Sequence, residues 1–133
     1  MAESETFNID VVAESDDADS GEATVEQTRR KSPRRMAYWT VHYQDLAGKW
    51  HQAKTENVSE GGLQITLEDS MVNGTKVFIK ITLVYRNFKR KVQAIAESRY
   101  CYVTNVGFKT GFMFLRIQDS DREFFRRYAE KLI

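Results

Sequence analysis

The sequence predicts a mostly-β fold: a six-stranded antiparallel β-barrel with a C-terminal α-helix, preceded by a disordered acidic N-terminal tail. Three observations carry this expectation. Apolar residues occupy every second position through Val77, Ile79, Ile81, Leu83 and Tyr85, the period of a strand with one buried face. Runs rich in β-branched and aromatic residues are separated by short turn signals over most of the chain. Near the end the period changes, with Phe124, Phe125, Tyr128 and Leu132 recurring at helical spacing.

The elements follow in order. Residues 1–28 hold nine of the nineteen acidic side chains and none of the twenty basic ones. With "FNIDVV" as their one apolar island, they bury too little to offset the entropy of ordering, and a disordered tail is expected. Residues 29–133 form the folded domain. It opens with "RRKSPRR", residues 29–35, where Pro33 disfavours helix and a loop is expected. A barrel over 36–118 follows. Its first strand is "MAYWTVHYQ", ended by "DLAG"; then come "KWHQAKTENV", "GGLQITL" and a loop closing on Asn73-Gly74. "TKVFIKITLVY" turns at "RNFKR" into "KVQAIAESRYCYV", and "TN" leads to the last strand, "VGFKTGFMFLRI". A six-stranded meander is too long for one flat open sheet to cover its apolar face, so a small closed or nearly closed barrel is expected. Ser120 and Glu123 have the spacing of a capping box, predicting a helix over 120–132, about three turns, that packs its aromatic stripe on the barrel.

Charge narrows the functional classes. From Arg29 onward twenty cations face ten carboxylates, a net of +10, which attracts anionic partners. The lone Cys101 excludes an internal disulfide framework and suits a reducing compartment. No cationic n-region followed by an apolar run opens the chain, and no stretch approaches the roughly 20 apolar residues that span a bilayer. A cytoplasmic protein without membrane insertion is expected.

Two constellations carry chemistry. In the basic loop, Arg30 and Arg34 can close on an object from different directions, and guanidinium groups suit phosphate oxygens, the O6/N7 edge of guanine and stacking on flat rings. Taken alone, such a run also fits a solvated tether, a nucleic-acid patch or a targeting signal. The second constellation is "ENVSEGG". Asn57 and Ser59 offer donors and acceptors for the polar edge of a base, and Gly61 and Gly62 permit positive φ and close backbone approach. A simple turn between strands accounts for the same glycines. Asn57-Val58-Ser59 and Asn73-Gly74-Thr75 are formal glycosylation acceptors, expected to stay unmodified without a secretory signal.

Together, RxxxR (Arg30 to Arg34) and NxSxxG (Asn57 to Gly62) resemble the two-part signature of the PilZ domain family. The likeness continues through "NGTKVFIKITL", "TGFMF" and the terminal helix, from about Arg29 to Ile133. It implies a receptor for cyclic di-GMP, with the arginine loop wrapping the ligand over the barrel and the second motif supplying a base-reading floor. On that resemblance Arg30 and Arg34 contact guanine and phosphate, Asn57 and Ser59 bond a guanine or the loop around it, and Gly62 keeps the floor open. Arg29, before the motif arginine, stacks on a base. Asn57 stands where many members have Asp, and both occur. Arg99 is a further candidate, against the alternative that a strand-end arginine is simply solvated. The resemblance also implies an effector protein, not identified by the sequence, that reads the ordered loop and ligand.

No catalytic constellation is present, and neither an enzyme nor a cofactor is expected. His42 and His51 lie in neighbouring strands and could face each other, but a metal site needs three or four ligands. Two other readings remain. A nucleic-acid-binding barrel would use the basic body and Tyr38, Trp39, Tyr43 and Trp50 for stacking; a ligand-independent PilZ-like adaptor would lack the motifs that are intact here. The acidic tail either competes weakly with ligand through its short tether or serves solubility.

Overall fold

The computed structural model describes residues 32–133. The tail expected over 1–28 and the candidate residues Arg29 and Arg30 lie outside the described residues. Seven strands and one helix are present among those described: β1 (Arg35–Met36), β2 (Thr40–Gln44), β3 (Trp50–Val58), β4 (Gly62–Leu67), β5 (Lys76–Tyr85), β6 (Phe88–Thr104), β7 (Gly107–Ile117) and α1 (Asp119–Ala129). All pairings are antiparallel, in the order β1-β3-β2-β5-β6-β7-β4, and β4 pairs back onto β3. Strands β2 to β7 therefore form a closed six-stranded barrel, which leaves no free sheet edge around its circumference.

Closure depends on β3, which works at both margins. One margin pairs with β2 along Trp50–Lys54 and then with β1 at Asn57 and Val58; the other pairs with β4 from Lys54 to Val58. The expected first strand, 36–44, is accordingly broken in two. Thr55 repairs the break: its hydroxyl accepts from the Trp39 amide at 2.9 Å and donates to the Ala37 carbonyl at 2.5 Å. The Thr55 side chain is completely buried, so this bond pair satisfies backbone groups that the ladder does not reach.

The alternation in β5 is realised as expected. Val77, Ile79, Ile81 and Leu83 are buried and Tyr85 is half-buried. They meet Val41, Leu63, Ile65, Val92, Ala96 and Phe114 in one core. The Asn73-Gly74 turn places Gly74 at φ 88°, where glycine carries no Cβ penalty.

Helix α1 adds Phe125, fully buried, against Trp39 and Phe114, with ring centroids 6.1 and 5.4 Å away. Tyr128 lies 5.0 Å from Trp39. Burial of a side chain such as Phe125 is worth about 2–3 kcal/mol. The expected capping box does not form. Gln118 is the N-cap and makes no side-chain cap bond, Ser120 instead accepts from Arg90, and Glu123 pairs with Arg126. What fixes the helix start is tertiary: β7 runs directly into it, and buried Asp121 sits 2.7 Å from Arg90 in an ion pair. The helix also ends earlier than the aromatic stripe suggests. Lys131 turns to φ 61° and the Leu132 amide bonds the Arg127 carbonyl, a Schellman-type stop that leaves Leu132 exposed.

Other expectations are corrected by register. His42 pairs with Gln52 and His51 with Tyr43, so the two histidines project from opposite faces of the sheet. Trp39 and Tyr43 are core residues, while Tyr38 and Trp50 are exposed. No helix among the described residues is long and apolar enough to cross a membrane.

Candidate ligand-binding site

The two motifs meet at the end of β3. Strand β1 pairs Arg35 with Val58 and Met36 with Asn57, which carries Arg34 to the outer surface beside the second motif. There Arg34 Nη1 donates to Asn57 Oδ1 at 2.7 Å, although 23 residues separate them. The bond is exposed, and the guanidinium, as a donor only, fixes the Asn57 amide with its oxygen toward the arginine.

The neighbouring Arg35 has a different job. Its Nη1 donates to the carbonyls of Tyr128 and Ile133 at 3.1 and 3.2 Å, and its guanidinium lies 4.2 Å from the centre of the Tyr128 ring. The Tyr128 hydroxyl in turn donates to the Met36 carbonyl at 2.7 Å. Arg35 thus anchors the root of the basic segment to the end of α1. Adjacent arginines divide between anchoring and exposure.

Ser59 and Gly62 behave as parts of a turn. Ser59 is buried; its amide donates to the Gly62 carbonyl at 2.9 Å, and its hydroxyl points to the same oxygen at 3.4 Å. Neither Gly61 nor Gly62 has the positive φ that the sequence allows. Gly62 is required by proximity instead, since a Cβ there would meet the Phe112 carbonyl oxygen at 1.9 Å. Its absence of side chain lets β4 close on β7. Around Gly61 a Cβ would find open space. The first turn of α1 also touches this motif: Arg122 Nη1 donates to the Glu60 carbonyl at 3.3 Å, and burial pulls the Arg122 pKa down.

Arg99 lies inside β6 rather than at a strand end, at a bulge between Ser98 and Tyr100. Its Nη1 is 3.7 Å from Met113 Sδ and 3.6 Å from Glu97 Oε1, and Met113 is the β7 partner of Gly62. It is therefore one strand removed from the second motif, and it is exposed.

The sequence reading missed the floor next to Asn57. Glu56 follows buried Thr55 onto the outer face, and a bulge between Thr55 and Asn57 keeps Asn57 on that face too; there the Glu56 carboxylate meets Lys109 at 3.0 Å, Gln64 Nε2 at 2.8 Å and the Thr66 hydroxyl. Burial pushes the Glu56 carboxyl up, but the bonds from Thr66, Lys109 and Gln64 outweigh it and hold the pKa below its ordinary value. The same pair raises Lys109. Tyr100 donates to Gln64 Oε1 at 2.6 Å. The alternation Gly62, Gln64, Thr66 was the available signal, because residues at i and i+2 share a face. No group of three or more potential metal ligands gathers among the described residues.

A family model described as the PilZ domain matches residues 28–131. The chain belongs to the PilZ domain family. Among solved structures it is similar in fold to the inhibitor of motility MotI/DgrA of Bacillus subtilis (TM-score 0.70, 21% identity), covering 78% of this chain and 51% of that one. It is similar also to YcgR of Escherichia coli in complex with c-di-GMP (TM-score 0.65, 15% identity), covering 78% of this chain and 46% of that one. The isolated PilZ domain of YcgR with c-di-GMP matches at TM-score 0.54 and 17% identity, over 78% of this chain and 91% of that one. This chain spans about half the length of the first two proteins. No curated protein is matched by the sequence.

Proposed function

We propose that this PilZ chain is a receptor for cyclic di-GMP and that the ligand binds over the outer face of β3 and β4, against Arg34 and Asn57. The observation that carries the proposal is the 2.7 Å bond between Arg34 and Asn57, which joins the two halves of the family signature at one exposed point. Structural neighbours solved with c-di-GMP support the choice of ligand. Arg30 and Arg34 hold guanine and phosphate, Arg29 stacks on a base, and Asn57 reads a base edge. Ser59 and Gly62 shape the floor through backbone geometry, and Arg99 flanks it.

Binding replaces the Arg34–Asn57 bond with bonds to the ligand and orders the segment 29–35, which is the ligand-binding loop of the domain. That order passes to α1 along two routes, from Arg35 and Met36 to the helix end and from Glu60 to Arg122 at its start. The altered loop and helix then regulate a partner protein in the cytoplasm, in motility, polysaccharide or virulence control. The domain acts by binding, without catalysis.

Calorimetric titration tests the proposal: cyclic di-GMP into the wild type and Arg34→Ala, with GTP and a short oligonucleotide as competitors. Loss of one charged contact of about 1.5–3 kcal/mol weakens binding by roughly ten- to a hundredfold. Absence of binding to a folded wild type would sink the receptor reading. Oligonucleotide binding in its place would favour a nucleic-acid barrel, for which the exposed Tyr38 and Trp50 remain as stacking residues.

A further inference from the structure

Four strands contribute one row to the outer face beside Arg34. Asn57 of β3 is paired with Gln64 of β4, Gln64 with Gly111 of β7, and Gly111 with Tyr100 of β6. Gly111 leaves room for the Tyr100 ring to lie across it; a Cβ at Gly111 would meet Tyr100 Cε2 at 2.1 Å. Tyr102 stacks on Tyr100 with centroids 6.0 Å apart. So placed, the Tyr100 hydroxyl reaches over the glycine to Gln64 Oε1.

The Gln64 amide is held in one orientation by this pair of neighbours. Its oxygen accepts from Tyr100, and its nitrogen donates to the Glu56 carboxylate, which only accepts. Rotated by half a turn, the amide oxygen would face the carboxylate. A second Nε2 hydrogen has no partner among the described residues.

This orientation bears on base choice. An unrestrained glutamine pairs with adenine through both ends of its amide, accepting from N6 and donating to N7, whereas guanine presents only the acceptors O6 and N7 on the same edge. Tyr100 takes one lone pair of the Gln64 oxygen, and the amide, locked between Tyr100 and Glu56, cannot turn to present oxygen and nitrogen together to adenine, while its second Nε2 hydrogen is a fixed donor. Arg34 beside it is a donor only. We infer that Gln64, oriented by Tyr100, is a specificity-determining residue of the ligand site, selecting guanine over adenine in a cyclic dinucleotide. The adenine amino group would face donors there, an unfavourable pairing that works against the wrong ligand. This inference rests on the cyclic di-GMP reading, and neither residue belongs to either motif.

The test is equilibrium titration of cyclic di-GMP and cyclic di-AMP into the wild type, Tyr100→Phe, Gln64→Ala and Gly111→Ala. The wild type is expected to prefer cyclic di-GMP by about a hundredfold or more. Tyr100→Phe keeps the ring over Gly111 and releases the glutamine oxygen, so the preference falls about tenfold, mainly through tighter cyclic di-AMP binding. Gly111→Ala displaces the ring and lowers the preference with the hydroxyl still present. If Tyr100→Phe and Gln64→Ala keep the wild-type ratio while Arg34→Ala still weakens cyclic di-GMP binding tenfold or more, the inference is overturned and the receptor reading stands. A wild type that binds neither dinucleotide overturns both.

Discussion

Thr55 is a sharp place to test the account of how the site is built. Its hydroxyl is both acceptor and donor, serving the Trp39 amide and the Ala37 carbonyl in the buried break between β1 and β2. Thr55→Val preserves shape and removes both bonds, leaving two buried backbone groups unpaired. Each unsatisfied group costs about 1–3 kcal/mol. Because both lie in one segment that relaxes as a unit, the expected loss is about 3 kcal/mol. For a domain of about 100 residues that corresponds to a drop in Tm of about 12–24 °C. Thr55→Ser separates the hydroxyl from the methyl: it keeps both bonds and should lose only about 1 kcal/mol. Urea denaturation of the three proteins measures the difference directly. The functional corollary is weaker cyclic di-GMP binding by Thr55→Val under conditions where it remains folded, since β1 positions Arg34. A Thr55→Val protein as stable as Thr55→Ser would refute the reasoning, because it would mean that the backbone groups find other partners.

Further outcomes follow from the same geometry. Gly62→Ala drives a Cβ toward the Phe112 carbonyl oxygen and should destabilise by about 3 kcal/mol or prevent folding, whereas Gly61→Ala, with open space around it, should fall within about 0.5 kcal/mol of wild type; thermal melts of the pair decide. Arg34→Ala should leave stability within about 0.5 kcal/mol while weakening ligand binding roughly ten- to a hundredfold, and Arg35→Ala should cost about 1–3 kcal/mol through its lost carbonyl bonds and ring contact, as read by denaturant titration. Glu56 titrates lower in the folded protein than in the unfolded chain, so its contribution is present above the ordinary glutamate value of 4.5 and disappears as pH falls through the lowered one. Stability measured across the acid range should therefore decline less steeply with falling pH in Glu56→Gln than in wild type; parallel declines would remove Glu56 from the explanation.

Periodic features were legible in the sequence, and coincidences of register were not. Strand β5 announces itself because every second residue must enter the core, and Asn73-Gly74 marks its turn because the backbone there needs φ of 88°. The pairing of RxxxR with NxSxxG was legible as a signature, and the Arg34–Asn57 contact gives it a physical basis. By contrast, the row from Asn57 to Tyr100 draws one residue from each of four strands, in two pairs that lie far apart in sequence. No local pattern encodes such a row, since strand pairing is fixed by the closed barrel as a whole. The role of Gly62 escaped for a related reason: local conformation suggested a positive φ, while the actual constraint is a carbonyl fifty residues away. Ser120 and Glu123 show the converse, a correctly spaced capping pair whose side chains are claimed by Arg90 and Arg126.

The contact of Arg35 with the Ile133 carbonyl has a consequence for protein engineering. It brings Arg35, near the start of the described residues, against Ile133, so the two ends of the described portion lie side by side. A portion with this geometry can be grafted into a surface loop of a host protein without prising that loop apart, as tolerated domain insertions require. If the ligand also tightens Arg35 against α1, the two junctions would stiffen together on binding, and a reporter split across them would convert dinucleotide concentration into an optical signal.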